Sequence, residues 1–395
     1  MTEQPRIRRC AHLYLEKREQ LMFDPIRLLQ GGDGLVAQDE YVALLPQRGK
    51  EVSLTRDEAH ALDEVGLTAW RTQDEVAQAI GAERMQALLD KGVLVREGSP
   101  DGERDQWMRD AWWHPLGAIG HSFSRWSNND AEAARRAVRF ETVANMVAEC
   151  GPPPTHFFRR EDAIRRVALQ APQRTAMDEL MARRVTCRNF DVSKTLPSQT
   201  LATMLKRIFG VQASEEMAPG AIALKKNHPS GGALHPIEAY LIVQRVEGLA
   251  PGLYHYNVEA HALDLLREVP AEELRAFALT AVAGQEYFAD APVLVAMAAR
   301  FARSMWKYRH HPKIYRAILL EVGHISQNIY LSATEFGLGA FITAAVNEVQ
   351  IEEALGLDPM QQGPLCVSGF GERTAHKNTV EFDPLGKVWN ETARA

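Results

Sequence analysis

Residues 227–243 read NHPSGGALHPIEAYLIV, in which a turn of small residues leads directly into an extended apolar segment. The turn consists of Pro229, Ser230, Gly231 and Gly232. Paired glycines lack the Cβ atoms that keep a backbone away from a flat or charged ligand, and their N–H groups are free to donate. Ordinary loops have the same composition. The pattern therefore indicates either a turn that contacts a ligand or a plain turn before a strand.

The composition is that of an ordinary globular protein. The chain has 395 residues, 46% of them hydrophobic, which is enough for two domains or for one large domain with an appendage. A net charge of -6 argues against a general nucleic-acid binder and against attachment to an anionic membrane surface. We therefore expect no nucleic acid and no membrane among its partners.

The cysteine pattern predicts a reducing compartment. The cysteines are far apart and form no C-x-x-C pair, which argues against zinc or a dithiol centre: Cys10, Cys150, Cys187 and Cys366. No apolar signal-peptide segment is present, and the longest apolar run, residues 291–299, is too short to span a bilayer. We expect a cytoplasmic protein.

Residues 1–115 predict a small N-terminal domain. Short strands are expected at 41–45 and 51–54. Thr55 and Thr72 are placed to cap helices, a third helix follows at 83–89, and Gly92 ends it before an edge strand. The order resembles a winged helix and the small peptide-recognition domains of enzymes that modify ribosomal peptides. DNA binding is disfavoured because the third helix has no clustered positive face.

Residues 116–156 predict a connecting segment and a helix. Aromatic residues are dense here and just before it, and we interpret them as packing over the core rather than contacting a cofactor: Trp107, Trp112, Trp113, His114, His121 and Trp126. A helix is expected over 130–150, and the Gly-Pro-Pro-Pro run at 151–154 then forms a stiff linker.

Residues 157–395 predict a larger α+β domain. We expect helices over 162–184, from Pro197 to Gly210 and from Pro312 to Gly337. Turn-rich connections between strands favour an antiparallel sheet over βαβ units. The expected strands are 238–243, 252–256, 262–267, 291–298, 341–346 and 365–368.

One candidate site combines two arginines with a hydroxyl. Arg184, Thr186 and Arg188 alternate along the chain, so an extended backbone places their side chains on one face. Such a trio suits a phosphate, although a solvated basic stretch reads the same way. Two glycine-containing segments permit a ligand to approach the backbone closely. Gly339 with Ala340 is also explained as the end of a helix, and Gly371 with Arg373 as the end of a strand. Arg373 is placed to close over the same phosphate.

Lys307 and Tyr308 are the candidate catalytic pair. Both are poor acids and bases at neutral pH, so they make chemical sense only in a dry site, and the alternative is a surface loop. The adjacent His310 and His311 have no carboxylate partner at ligand spacing, so we expect no metal.

These motifs occur in an order that resembles the flavin-dependent nitroreductase superfamily and, within it, the SagB-type dehydrogenases that oxidise azolines in peptide natural products. The resemblance covers about residues 180–375. It is carried by R-x-[ST]-x-R-x-F at Arg184, Thr186, Arg188 and Phe190, PSGGALHPIEAY at 229–240, GLYHYN at 252–257, Lys307 and Tyr308 with Tyr315 and Arg316, and EVGHISQNIYLSATEFGLGA at 321–340.

The resemblance implies a nitroreductase-like, antiparallel-rich sheet flanked by helices, and FMN bound in a homodimer at the subunit interface. It implies that the arginines and hydroxyl hold the FMN phosphate and ribitol, that the turn backbone lies along the flavin, and that Lys307 and Tyr308 are essential to dehydrogenation. The predicted cofactor-binding residues are Arg184, Thr186, Arg188, Pro229, Ser230, Gly231, Gly232, Gly339, Ala340, Gly371 and Arg373.

The implied function is FMN-dependent removal of two hydrogens from a ribosomally made precursor peptide, turning an azoline into an azole, with a possible cyclase partner and a leader peptide held by residues 1–115. Three alternatives remain: Cα–Cβ desaturation of an ordinary residue, a generic NAD(P)H-dependent nitroreductase or quinone reductase, and a non-catalytic peptide-binding partner of a cyclase. The departures from the family pattern are Thr186 in place of serine, Asn189 in place of a basic residue, and the segment 309–314.

Overall fold

The computed structural model describes residues 5–138, 140 and 142–389. Its strands are β1 (Arg6–Arg9), β2 (Tyr14–Phe23), β3 (Leu35–Leu45), β4 (Lys50–Leu54), β5 (Arg71–Thr72), β6 (Leu94–Arg96), β7 (Ala213–Ala218), β8 (Ala221–Lys225), β9 (Ile237–Val243), β10 (Gly252–Asn257), β11 (Ala262–Glu268), β12 (Val293–Arg300), β13 (Gly339–Thr343) and β14 (Gln362–Gly371). Its helices are α1 (Pro25–Leu29), α2 (Arg56–Ala61), α3 (Gln73–Ile80), α4 (Ala82–Asp90), α5 (Pro100–Asp110), α6 (Pro115–Ser124), α7 (Ala131–Ala137), α8 (Val143–Cys150), α9 (Ala176–Arg183), α10 (Ser198–Phe209), α11 (Ala271–Ala281), α12 (Glu286–Ala289), α13 (Phe301–Lys307), α14 (Ile314–Glu335) and α15 (Glu348–Leu355).

The chain divides into two compact units. The first unit contains the chain up to Arg125 together with Arg300–Ala317 and Asp358–Gln362. The second unit contains Trp126–Ala299, Ile318–Leu357 and the chain from Gly363 onward. Lys307 and Tyr308 therefore belong to the same compact unit as the N-terminal region.

The first unit is built from two small sheets and short helices. The strand orders are β5-β1-β6 and β2-β3-β4, with antiparallel pairing throughout. Thr55 and Thr72 begin α2 and α3 as predicted, each in a capping box with the glutamate three residues later. A core of aliphatic side chains joins these elements, with Ile7, Leu88 and Val93 completely buried. The predicted small N-terminal fold of helices and strands is confirmed.

The second unit contains a six-stranded sheet in the order β11-β10-β9-β12-β14-β13. The pairs β11-β10, β10-β9, β9-β12 and β13-β14 are antiparallel. β9, which follows the small-residue turn, lies inside the sheet and is buried along almost its whole length. The predicted strands of this domain are all present within a few residues, so the α+β class with an antiparallel-rich sheet flanked by helices is confirmed.

Two helices of the second unit match their sequence patterns. α10 follows Pro197, ends at Gly210, and buries the face formed by Leu201, Met204, Leu205, Ile208 and Phe209. α14 buries the predicted stripe that includes Ile318, Val322, Ile325, Ile329 and Ala333, whereas Phe336 just beyond the helix is 40% exposed. Gly337, with φ of 75°, follows α14 and lets the chain reverse into β13.

The helix predicted over residues 162–184 is wrong for most of its length. The structure has no helix between 162 and 175, and this stretch is exposed throughout. Helix α9 begins only after Thr175, whose capping box with Asp178 sets its start, and Pro172 precedes that box. The apolar residues between 162 and 175 have no surface to pack against, so their spacing alone does not produce a helix.

Other boundaries also differ from the sequence prediction. The helix expected over 130–150 is two helices, α7 and α8, capped separately by Asp130 and Thr142. The strand at 41–45 is the end of the longer β3, which pairs with β2, and neither β2 nor the β7-β8 hairpin was predicted. Both missed hairpins are largely exposed, so they lack the clear apolar alternation that marks a half-buried strand.

The structure also describes the state of the cysteines and the character of the helices. All four cysteines are free thiols, with Cys150 exposed and the other three buried. Burial raises the pKa of Cys10, Cys187 and Cys366 to about 12 in each case. In the part of the chain that the structure describes, no helix combines the length and apolar character needed to cross a membrane.

Candidate functional site

The small-residue turn lies between β8 and β9 in a strained conformation. Gly231–Ala233 form a single 3-10 turn, in which Gly232 has φ of 71°. Ala233 and His235 have φ of 59° and 45°, a left-handed region that costs an L-residue roughly 1–2 kcal/mol. Ser230 supports this shape, because its Oγ accepts from the His235 N–H at 2.9 Å and its carbonyl accepts from the Ala233 N–H at 3.1 Å.

A buried carboxylate adjoins the turn. Glu321, on α14, accepts a hydrogen bond from the Ser230 hydroxyl and lies 3.4 Å from both His228 Nε2 and His235 Nδ1. Burial disfavours its charge, but its contacts with His228 and His235 and the hydrogen bond from Ser230 outweigh that effect and lower the pKa of Glu321 to about 2. Glu321 is therefore ionised at neutral pH. We call Ser230, His228, His235 and Glu321 the Glu321 cluster.

Sequence reasoning missed three members of this cluster. A signal is present, since His228 and His235 flank the turn and Glu321 opens the EVGH motif. Ser230 and Glu321 are 91 positions apart, however, and only the packing of α14 against the turn brings them together.

The arginine strip, residues 184–188, has the alternation that the sequence predicts. Val185 and Cys187 are buried, and the intervening side chains are half-buried. Thr186 Oγ1 lies 3.0 Å from the Tyr330 hydroxyl, and the Arg184 guanidinium lies over the same ring, 5.2 Å from its centroid. Arg184 and Thr186 thus meet at one aromatic residue of α14.

Arg188 lies apart from that pair. Its guanidinium is 5.7 Å from the ring centroid of Tyr287 and 5.9 Å from that of Phe288. Among the described residues, neither Arg184 nor Arg188 has a carboxylate partner for its guanidinium. Half-buried arginines without anionic partners are suited to an anionic ligand.

The glycine segments adjoin the arginine strip but have packing reasons of their own. Gly339 pairs with Gly371 across β13 and β14, and the Cys187 N–H donates to the Ala340 carbonyl at 2.8 Å. A Cβ on Gly339 would lie 2.5 Å from Cys187 Sγ, and one on Gly371 would lie 2.3 Å from Pro292 Cδ. Packing therefore explains both glycines, and their contact with a cofactor stays a prediction.

Arg373 is engaged within the chain. It forms an ion pair with Glu381, and its other guanidinium nitrogen donates to the Val185 carbonyl at 2.9 Å. Glu381 is completely buried and also accepts from Trp389 Nε1 at 2.8 Å and from Asn189 Nδ2 at 2.8 Å. This network ties the C-terminal segment to the arginine strip, so the role of Arg373 in closing over a phosphate stays a prediction.

The turn and the arginine strip contact different sides of α14. Glu321 contacts the turn, Tyr330 contacts the strip, and the two residues are nine positions apart on the helix. At about 100° per residue, nine residues correspond to about half a turn round the axis. The structure brings Arg184, Thr186, Gly339, Ala340, Gly371 and Arg373 together, but it does not place the turn on their side of α14.

Lys307 and Tyr308 lie at the end of α13 in the first unit. Lys307 is exposed, and its Nζ lies 5.6 Å from the centroid of the Tyr308 ring. His310 follows with φ of 51°, and its N–H donates to the Trp112 carbonyl at 3.1 Å. The exposure of Lys307 does not provide the dry environment that the sequence argument requires, and the catalytic role of the pair stays a prediction.

Trp113 and His121 of the aromatic segment pack into the core of the first unit as predicted, whereas Trp126 is 37% exposed and belongs to the second unit. Trp113 is completely buried, and its Nε1 donates to the Met360 carbonyl at 3.0 Å. His121 is also buried, with Nε2 2.9 Å from the Pro359 carbonyl and Nδ1 3.2 Å from the Tyr315 hydroxyl. Burial lowers the pKa of His121 to about 4, so its imidazole is neutral and hydrogen-bonded at both nitrogens.

Comparison with known proteins places this geometry in a family. Residues 181–372 match the model of the nitroreductase family. Over 149 residues the chain is 34% identical to MJ1384 of Methanocaldococcus jannaschii, whose name assigns it to the nitroreductases; the match covers 38% of this chain and 71% of that protein. Over 138 residues it is 38% identical to the trifolitoxin-processing protein TfxB of Rhizobium leguminosarum bv. trifolii, covering 34% of this chain and only 36% of TfxB.

A solved structure extends the similarity in fold. The Escherichia coli microcin synthetase McbBCD complex with truncated pro-MccB17 bound contains a chain that matches 68% of this chain and 97% of its own length. The TM-score is 0.51 at 22% sequence identity, which supports a shared fold. The chain therefore belongs to the nitroreductase family, and within it resembles the SagB-type peptide-maturation dehydrogenases.

Proposed function

We propose that the chain is an FMN-dependent dehydrogenase that removes two hydrogens from a ribosomally made peptide and converts a thiazoline or oxazoline into the aromatic azole. The observation that carries the proposal is the arginine strip, where Arg184 adjoins the Thr186 hydroxyl in a nitroreductase fold and has no carboxylate partner among the residues that the structure describes. The peptide substrate is supported by the name of TfxB, a trifolitoxin-processing protein, and by the peptide bound in the McbBCD structure.

The donor set of the strip suits the phosphate of FMN. Arg184 supplies guanidinium N–H groups, and Thr186 supplies a hydroxyl of the kind that serves phosphate binding. The predicted contribution of Arg188, which lies apart from this pair, stays a prediction. The turn offers backbone without Cβ atoms at Gly231 and Gly232, which is what a flat ring system needs for close approach. These residues would hold the cofactor at its charged end and along its ring.

The reaction requires one hydride and one proton to leave the azoline ring. When bound, FMN would supply the hydride acceptor. We assign the proton to Lys307 and Tyr308, as base and partner. Replacing Lys307 with Ala or Tyr308 with Phe is expected to lower turnover by roughly 10²–10⁴-fold while bound FMN is retained. Turnover at the wild-type rate in both variants would remove them from the mechanism.

Mass spectrometry of a co-expressed precursor peptide tests the proposed reaction. With the cyclase present, we expect a loss of two hydrogens at each azoline. A loss located in the Cα–Cβ bond of an ordinary residue would instead indicate desaturation. Rapid flavin bleaching by NAD(P)H without peptide would favour a generic nitroreductase, and a colourless protein that binds peptide without FMN would favour a non-catalytic cyclase partner.

The N-terminal region is our candidate for leader-peptide recognition. Its sheet β5-β1-β6 ends in β6, and an edge strand can pair with an extended peptide. Because the first unit also contains Arg300–Ala317, deleting residues 1–115 would remove part of a compact unit. The whole chain is therefore tested on a leader-linked peptide and on the leaderless core peptide. A faster reaction with the leader is expected, and equal rates would contradict leader recognition.

We further propose a homodimer with two FMN sites, each built from the arginine strip of one copy and the turn of the other. The two regions lie about half a turn apart round α14, and Leu319 and Leu320 leave apolar surface on this helix, at 44% and 67% exposure. Such a dimer, with a cyclase as partner in the cytoplasm, suits a peptide-maturation enzyme. The free thiols are compatible with that compartment.

Mixed dimers test the shared site. Co-expressed chains carrying Arg184→Ala and Gly232→Val, isolated as a heterodimer through two affinity tags, would contain one intact site of two. We expect the heterodimer to bind about half the FMN of the wild-type dimer, whereas each homodimeric variant binds little. A heterodimer that binds no more FMN than the single variants would place the whole site within one chain.

A further inference from the structure

Three atoms of metal-ligand type converge in the Glu321 cluster. His228 Nε2 lies 3.3 Å from His235 Nδ1, and each nitrogen lies 3.4 Å from Glu321 Oε1. The three side chains are 2–3% exposed. The atoms therefore form an almost equilateral triangle in the interior of the second unit.

The size of this triangle matches one face of a tetrahedral metal site. Zinc binds histidine nitrogen and carboxylate oxygen at about 2.0–2.1 Å, and such bonds in a tetrahedron place neighbouring ligand atoms about 3.3–3.4 Å apart. Hydrogen bonds between these groups are usually shorter, at about 2.7–3.2 Å, and a proton lies between only two atoms at a time. A cation above the triangle contacts all three.

The surrounding groups leave the lone pairs of His235 and Glu321 available. His235 Nε2 lies 3.0 Å from the Leu224 carbonyl, so this nitrogen carries the proton and Nδ1 carries the lone pair that faces the cluster. Backbone carbonyls commonly orient metal-binding histidines in this way. Glu321 uses Oε2 to accept from Ser230, whereas its buried Oε1 has no hydrogen-bond partner in the described part of the chain.

We infer that His228, His235 and Glu321 bind a divalent metal ion, and that zinc is the ion best matched to the site. Two imidazoles and a carboxylate form a donor set that is found at zinc sites in proteins. The ion fastens both ends of the small-residue turn to α14, because His228 precedes the turn and His235 follows it. The sequence prediction of no metal considered the cysteines and the adjacent His310 and His311, but not this triad.

Metal analysis of the purified full-length protein tests the inference. After incubation with zinc sulfate and gel filtration, the wild type is expected to retain about one zinc per chain, and His228→Ala and Glu321→Gln less than roughly a tenth of that. His324→Ala is the matched control, because His324 is exposed on the same helix, and it should retain the wild-type amount. Cobalt(II) in the wild type should give the intense visible bands of a four-coordinate site, and these should be lost in Glu321→Gln.

Chelation keeps the test decisive if the variants do not fold. Removing zinc from the wild type should lower its melting temperature, and zinc, but not magnesium, should restore it. A wild type that retains no zinc and is unaffected by the chelator overturns the inference, as do folded variants that retain the wild-type amount. Flavin absorbance of the same samples is a separate readout, so zinc binding without FMN would refute the proposed function and leave the metal site standing.

Discussion

The arginine strip and the Glu321 cluster are two polar sites that meet the same helix with opposite charge balance. In the strip, Arg184 and Arg188 have no carboxylate partner among the described residues. In the cluster, the carboxylate of Glu321 accepts a hydrogen bond from the Ser230 hydroxyl and lies 3.4 Å from two imidazole nitrogens. The strip is therefore suited to an external anion, whereas the cluster serves to hold the turn in place.

The largest expected effect is a loss of folding stability when Glu321 is replaced. Replacing Glu321 with Ala leaves two buried histidines and the half-buried Ser230 hydroxyl without their partner, and breaking such a set costs about 3–5 kcal/mol of unfolding free energy. Chemical denaturation of the variant measures this loss. His324→Ala, on the exposed side of α14, should be close to wild type, and a similar loss in both variants would contradict the assignment.

The stabilising effect of Glu321 is expected to depend on pH. The pKa of Glu321 is about 2 in the folded chain, below its ordinary value of 4.5, so its stabilising effect is complete above pH 4.5 and is lost as the pH falls towards 2. The difference in unfolding free energy between wild type and Glu321→Gln should narrow over that range. A difference that stays constant from pH 5 to about 2 would contradict a depressed pKa.

A smaller effect is expected when a residue of the arginine strip is replaced. This effect is on FMN binding rather than on folding. Arg184→Ala removes a charged donor and should weaken FMN binding by about 1.5–3 kcal/mol, or roughly 10–100-fold in Kd, with little change in the stability of the FMN-free chain. Flavin fluorescence titration measures the Kd. Arg183→Ala is the control, because its side chain is exposed beside the strip. Equal weakening in both variants would indicate a general charge effect.

The smallest predicted effect concerns a hydroxyl. Thr186→Val keeps the shape but removes the Oγ1 that contacts Tyr330, so FMN binding should weaken by about 1 kcal/mol, or roughly fivefold. Thr186→Ser retains the hydroxyl and should bind FMN nearly as well as the wild type. The same titration decides this prediction, and a valine variant that binds like the serine variant would show that the hydroxyl makes no contribution.

Much of the fold was predictable from the sequence wherever the buried residues follow the local spacing of apolar residues. α10 has apolar residues at helical spacing, Pro197 before it and Gly210 after it, and its boundaries match. The prediction failed over 162–175, where apolar residues are present but nothing packs on them. A helix of this length depends on tertiary contacts for its stability, and these contacts are not visible in the residues themselves.

The candidate site was predictable to the same degree. Alternation along an extended segment placed Arg184 and Thr186 on one side, because the spacing of an extended chain is a local property. The partner of those residues, Tyr330, and the partner of Ser230, Glu321, come from a helix far along the sequence. The need for glycine at 339 and 371 also became clear only from packing, because a Cβ at these positions would collide with Cys187 and Pro292.

The sequence by itself determined the family resemblance, the α+β class, the strand-forming segment after the turn and the alternating arginine strip, because short-range spacing and composition govern each of these. Tertiary structure alone decided that Glu321 lies between His228 and His235, and that the turn and the strip meet α14 about half a turn apart. It also grouped Lys307 with the N-terminal unit. The physical reason is that contacts between distant segments depend on how helices and sheets pack, which local patterns do not encode.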